Sequence, residues 1–337
     1  MINFKNDYNL IAHNRILEAM LEYNKNTYVG YGLDELSEQA ANAIKKHINK
    51  DVDIHFLVGG TSANKIVIAH ALRPYEAVIS VNTGHICVHE TGAIEATGHK
   101  ILTVEGVDGK ITPTMIEQVV NTHVDEHMVF PKMVYITQAT EIGTLYSKSE
   151  LIDIYNTCKK NDLYLFLDGA RLAVGLDKSD ITLDDLAKYT DVYYIGGTKN
   201  GALLGEAVVI SNEELKKNFR FSIKQNGGMY AKGYVAGIQF LELFKDGLYF
   251  NLGHNSNVMA DKLALGLTNR GISLEYPNVT NQLFIRVSNE LYNKLNEFVL
   301  FELWADKGIE KVIRFVTNFN TSEKELEEFF NKLDNIL

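Results

Sequence analysis

Residues Leu163-Tyr-Leu-Phe-Leu-Asp168-Gly-Ala-Arg171 and Val192-Tyr-Tyr-Ile-Gly196-Gly-Thr-Lys199 decide the fold. In both, a short apolar or aromatic run breaks into glycine and charge. Runs this short, bounded this sharply, predict buried strands. Asp168, Arg171 and Lys199 then stand at the carboxyl ends of two strands, where open α/β sheets bind ligands. A carboxylate, a guanidinium and one amine converging there suit pyridoxal phosphate (PLP). The amine forms a Schiff base and the carboxylate faces the pyridinium nitrogen.

The flanking sequence repeats the pattern. Strands are expected at 54–58, 77–81, 101–104, 133–137 and 207–210, with helices over 85–96, 112–123, 149–160 and 183–189. This alternation predicts an α/β fold with a mostly parallel sheet covered by helices on both faces. Two amphipathic helices, 13–24 and 35–48, precede it. The chain from 213 to about 250 is mainly helical, and 257–268 continues that stretch. Strands at 283–287, 297–303 and 312–316, interleaved with helices at 289–296 and 323–337, predict a smaller α+β unit. The expected division is a large domain over 1–250, including an N-terminal arm, and a small one over 251–337.

Ile54-His-Phe-Leu-Val58 runs into Gly59-Gly60-Thr61-Ser62 and then an apolar helix. A strand, a glycine turn and a helix start make an anion site, with N–H groups and hydroxyls aimed at a phosphate. Neither GxxxxGK[ST] nor GxGxxG is present, so the phosphate is not held by either of those motifs.

Each candidate has a structural alternative. Lys199 lies between glycines, which lets a bulky ring approach the backbone; alternatively it is a surface lysine. Asp168 needs a partner after so apolar a run; alternatively it caps the turn that follows. Arg171 can meet a cofactor oxygen or a substrate carboxylate, or pair with Asp168. Arg314, within Val312-Ile-Arg-Phe-Val316, can clamp a substrate carboxylate bidentately or pair with a protein carboxylate. His85 and His89 stand four residues apart. They suit ring stacking or general-base work, a zinc pair lacking an evident third ligand, or one buried and one exposed histidine with no role.

The 337 residues are 46% hydrophobic with a net charge of −10, enough for a large core. The acidic balance argues against nucleic acid or an anionic membrane as partner. No stretch approaches the roughly 20 apolar residues of a membrane span. No secretory h-region opens the chain, and the two cysteines form no disulfide framework. A cytoplasmic location is expected.

The chain resembles the PLP-dependent L-threonine aldolases, the β-eliminating lyase group of fold type I. The resemblance spans residues 4–335. It rests on Phe4-Lys-Asn6-Asp7, Tyr31-Gly-Leu-Asp34, Gly60-Thr-Ser-Ala-Asn64, His85-Ile-Cys-Val-His-Glu90, Leu167-Asp-Gly-Ala-Arg-Leu172, Gly196-Gly-Thr-Lys199 and Ile313-Arg-Phe-Val-Thr317. It implies that Lys199 holds PLP, Asp168 meets the ring nitrogen, and Arg171 lies near the ring oxygen and substrate. Gly60, Thr61 and Ser62 would cradle the phosphate and His85 would stack on the ring. Arg314 would bind the substrate carboxylate, with Asn6 and Tyr31 near it. A homotetramer of tight dimers would place active sites at subunit interfaces, with Lys224 and Gly227-Gly228 reaching across to the neighbour's cofactor. The implied reaction is cleavage of L-threonine, L-allo-threonine and related L-3-hydroxy-α-amino acids to glycine and an aldehyde. No metal is implied. The chain reads Thr137-Gln-Ala-Thr-Glu141 where some members carry a histidine, which leaves His85, His89, Glu141 through a water, or a water on the phosphate as candidate bases. Another PLP lyase or aminotransferase, a non-catalytic PLP-binding protein and a metal hydrolase are the alternatives.

Overall fold

The computed structural model describes residues 1–337. Its strands are β1 Ile2–Asn3, β2 Asp53–Leu57, β3 Glu76–Val81, β4 Lys100–Val104, β5 Phe130–Thr137, β6 Tyr164–Asp168, β7 Val192–Gly196, β8 Glu206–Ile210, β9 Gln282–Ser288, β10 Val299–Leu300, β11 Glu302–Asp306 and β12 Glu310–Val316. Seven form one sheet in the order β2-β8-β7-β6-β5-β3-β4. Only β8 runs against the rest, pairing antiparallel with β2 and β7, while β7, β6, β5, β3 and β4 pair in parallel. The α/β class and mostly parallel sheet expected from the sequence are found.

Strand periodicity positions the site. Leu165 and Leu167 of β6 and Tyr193 and Ile195 of β7 face one core. Phe166, Val192, Tyr194 and Tyr135 face the other, against the helix Gly60–Ala71. Side chains two apart share a face, so Asp168 emerges on the side of Phe166, under that helix. Each fully buried large apolar side chain contributes roughly 1.5–3 kcal/mol, and the β6 and β7 side chains ahead of the site are almost all of this kind.

The second sheet, β11-β12-β9, is antiparallel. With the helix Glu323–Asp334 it encloses a separate core built on Phe315, Phe329 and Leu263. Ile2 and Phe4 also lie in this core, because β1 pairs with β10. The helix Leu248–Thr268 serves both units: Leu252 packs into the large core and Met259 into the small one.

Three expectations require correction. The helix expected over 85–96 is only His85–Val88, followed by turns and a 3-10 turn at Glu95–Thr97. Thr91 and Gly92 take positive φ there, which an α-helix cannot contain. The strand expected over 297–303 is split: β10 pairs with β1 and β11 with β12, and Phe301 between them turns into the core. The helix expected from 257 begins at Leu248, just after Gly247 at φ 70°.

Candidate active site

Glycine makes the strand-end approach possible. A Cβ on Gly169 would lie 1.8 Å from the Tyr194 carbonyl oxygen, and one on Gly196 would lie 2.5 Å from that of Ala170. The Asp168 and Lys199 loops therefore cross at backbone contact. Gly60 meets the Tyr194 hydroxyl at 2.9 Å from its would-be Cβ, which brings the glycine turn against the same point.

Asp168 is buried and accepts four hydrogen bonds. Tyr194 Oη (2.5 Å) and the Ala170 N–H (3.0 Å) donate to Oδ1. Tyr135 Oη (2.5 Å) and Asn64 Nδ2 (3.0 Å) donate to Oδ2. Burial, reinforced by Asp168, pushes both tyrosines well above their ordinary range, so they stay donors. This explains how a carboxylate stands after so apolar a run. Neither tyrosine's role was evident in the sequence, because both read as ordinary strand apolars.

Arg171 is buried too, and its partner is not Asp168. Its Nε and Nη2 donate to Asp7 Oδ2 and Oδ1 at 2.7 and 3.1 Å. Asn281 Nδ2 also donates to Asp7, at 3.0 Å. The alternative of an Arg171–Asp168 pair is thereby overturned. Asp7 lies 164 residues away in sequence, and only the tertiary fold could bring it there.

Lys199, Arg171, His85, Glu141 and Tyr8 line two adjoining cavities of about 690 and 350 Å³. The larger also holds His89, Arg314 and Trp304; the smaller holds Gly60, Thr61, Asp168, Tyr194 and Glu206. Burial, then the charge of Arg171, lowers the Lys199 pKa against the pull of Asp7, Glu141 and Asp168. A lowered pKa favours the neutral amine, the form that acts as a nucleophile. Glu206 accepts the Gly197 N–H at 2.8 Å, ahead of the Lys199 turn. Burial pushes its carboxyl up to about 7.

Arg314 bonds Gln282 Oε1 through Nη1 at 3.3 Å, and its guanidinium lies 5.4 Å from the Trp304 ring centre. Its buried Nε has no partner. The neighbours that hold it are an amide and a ring rather than a carboxylate, which leaves donors for a substrate.

His85 is half-buried and His89 exposed, with ring centres 5.4 Å apart. His85 Nδ1 lies 2.7 Å from Glu90 Oε1. No group of three His, Cys, Asp or Glu side chains is placed to hold a metal ion.

Some expected residues stand elsewhere. Tyr31 and Lys224 are exposed and meet each other, with Nζ 4.9 Å from the ring centre, and neither lines the Lys199 cavities. Ser62 lies beside Gly228 rather than among the lining residues. Asn6 accepts the Tyr8 N–H at 3.2 Å and is next to Asp7 but not in the cavity wall.

The donor set fits PLP. Gly59 and Gly60 open the helix Gly60–Ala71 without a side-chain cap, so its first N–H groups remain for an anion. A side chain at Gly60 would fill that cradle, and the only lysine lining either cavity is Lys199.

A strand-end lysine and aspartate on a mostly parallel sheet, with a smaller α+β unit closing over them, define an enzyme of the fold type I class. The chain belongs to the β-eliminating lyase family, the group of the L-threonine aldolases: residues 12–290 match that family. It is 31% identical over 319 residues to the low specificity L-threonine aldolase of Pseudomonas sp. (strain NCIMB 10558), covering 92% of this chain and 90% of that protein. The threonine aldolase of Leishmania major superposes with a TM-score of 0.97 at 45% identity, covering 99% of both chains. Thermus thermophilus aspartate aminotransferase shares the fold, at TM-score 0.71 and 16% identity over 100% of this chain and 92% of that one.

Proposed function

We propose that this chain is a PLP-dependent L-threonine aldolase that cleaves L-threonine, L-allo-threonine and related L-3-hydroxy-α-amino acids to glycine and an aldehyde. The observation that carries the reading is the meeting of Lys199, Asp168, Arg171, His85 and Arg314 around two joined cavities. PLP, when bound, supplies a carbonyl for the Schiff base and a conjugated ring that stabilises negative charge at the substrate α-carbon.

The chain's own residues then divide the work. Lys199 provides the amine. Gly60 and Thr61 present the helix N-terminus to the phosphate. Asp168, oriented by its protein donors, would hold the ring nitrogen, and His85 would pack on the ring. Arg314 fixes the substrate carboxylate, which orients the Cα–Cβ bond for cleavage. Arg171, anchored by Asp7, would hold the ring oxygen and substrate through the donors Asp7 leaves free. His85 Nε2 takes the β-hydroxyl proton.

Lys224 meets the exposed Tyr31, whose chain neighbours Val29 and Leu33 are exposed, as is Phe221 on the Lys224 helix, and exposed apolar side chains of this kind suit a subunit interface. We therefore include a homotetramer in which Lys224 serves a neighbour's phosphate and Asn6 and Tyr31 border the substrate. Ser62, in the first turn of the helix Gly60–Ala71, is included as a phosphate ligand. The division is kept at 250/251, near the start of the helix Leu248–Thr268, which runs on from the large core at Leu252 to the small core at Met259. No helix is long and apolar enough to cross a membrane, and the two thiols are unpaired, which suits a reducing cytoplasm.

The test is spectroscopic and chemical. Purified enzyme should show a visible band that borohydride abolishes with label fixed on Lys199, and L-threonine should yield acetaldehyde and glycine. Lys199→Ala should lose turnover by at least a thousandfold, of the order seen when a covalent nucleophile is removed. No band removes the cofactor; a band without aldehyde retains the cofactor and removes the aldolase reaction.

A further inference from the structure

The half-buried His85 is tied to the Asp168 carboxylate by a chain of hydrogen bonds that the reaction scheme does not use. His85 Nδ1 lies 2.7 Å from Glu90 Oε1, and Asn64 Nδ2 donates to the same oxygen at 2.6 Å. The second N–H of Asn64 Nδ2 donates to Asp168 Oδ2 at 3.0 Å. Glu90 has no side-chain exposure, and its other oxygen has no partner. A carboxylate buried so completely needs a reason.

We infer that Glu90 is a positioning residue, which through its Nδ1 hydrogen bond fixes the orientation and tautomer of His85, and through Asn64 links that histidine to Asp168. This rests on the proposed assignment of His85 as the group that takes the β-hydroxyl proton. Oε1 already accepts from Asn64, so it acts as acceptor toward His85 as well, and the imidazole proton resides on Nδ1. Nε2 then carries the lone pair and is the nitrogen left for the cavity. A base held by a second group in this way has the geometry of an oriented dyad. The proton leaves the hydroxyl oxygen for Nε2, and the O–H electron pair becomes the new carbonyl bond. The Cα–Cβ pair stays with the carbon that becomes glycine, which later regains one proton.

The surroundings of the two histidines differ accordingly. Burial lowers the proton affinity of His85, but the Glu90 bond and the charges of Asp168 and Glu141 outweigh it, against an opposing pull from Lys199; the net shift is upward. His89, whose ring adjoins His85, moves down through the partial desolvation of its ring, with His85, Arg314 and Lys199 adding to the effect and Glu141 opposing it. Only the first has a buried carboxylate bonded to its ring. Environments that separate two like groups mark a division of roles.

The experiment is Glu90→Gln in the holoenzyme, read in two ways. With 13C-labelled histidine, the His85 signal (assigned by its loss in His85→Asn) should titrate at a midpoint at least about one pH unit lower than in wild type, since one charge-assisted hydrogen bond is removed. The acid limb of the kcat/KM profile should move down with it. Glu90→Asp, which keeps the charge on a shorter arm, should shift both in the same direction by less, and if the glutamine variant does not fold, an unmoved His85 midpoint in the aspartate variant overturns the role. An unmoved His85 midpoint overturns the positioning role. A midpoint that falls while the acid limb stays put upholds Glu90 and overturns His85 as the base. Absence of the visible band from the wild-type enzyme would instead mark failure of the cofactor reading.

Discussion

Asp7 and Arg171 show how much one buried pair can decide. Both are almost fully buried and share two hydrogen bonds. Burial alone would raise the Asp7 carboxyl, but Arg171 and Lys199 outweigh it and hold its pKa below the usual 3.8. Replacing one member strands the other's charge, which costs about 3–5 kcal/mol. Asp7→Asn should lose that much in urea denaturation at neutral pH. A depressed carboxyl stabilises the fold above its unfolded pKa, and the contribution disappears as the pH falls through the folded value. The gap between variant and wild type should therefore narrow only below the 3.8 reference. A gap that narrows already near neutrality would contradict this account.

At the scale of elements, the turn between β2 and the helix Gly60–Ala71 carries two glycines with unequal duties. A Cβ on Gly60 meets the Tyr194 hydroxyl at 2.9 Å, whereas one on Gly59 meets nothing within 4 Å. Gly59 lies at φ 173°, extended backbone open to any residue. Gly60→Ala should therefore destabilise the holoenzyme by about 1–3 kcal/mol, as overpacking does, and weaken PLP binding because Tyr194 must leave Asp168. Gly59→Ala should change both little; equal losses in PLP titration would refute the distinction. The same elements show what a sequence can reveal. Strands β5 to β8, the Asp168 and Lys199 loops and the glycine turn were legible because each is a local pattern of apolar run and break. The partners were not. Asp7 reaches Arg171, and Tyr135 and Tyr194 reach Asp168, across long separations, and a tyrosine in a strand gives no sign that its hydroxyl is committed. The over-long helix after His85 failed for a local reason: apolar spacing continues through residues whose backbone turns left-handed at Thr91 and Gly92.

At the scale of the whole molecule, Lys224 and Tyr31 hold each other outside the Lys199 cavities of their own chain. Arg220 Nη2 donates to the Tyr31 carbonyl at 3.0 Å, so loop and helix form one surface unit, ringed by the exposed Val29, Leu33 and Phe221. If that unit completes a neighbour's site, as proposed, two defective chains should repair each other. A Lys199→Ala chain retains Lys224 to lend, and a Lys224→Ala chain retains its own Lys199. In a two-fold dimer with random exchange, half the pairs are mixed and each has one intact site, so roughly a quarter of wild-type activity should return. Mixing after subunit exchange, with acetaldehyde release as readout, measures this directly. If the mixture shows no more than the sum of its separate parts, Lys224 does not act across the interface, and the assembly carries no part of the site through this segment.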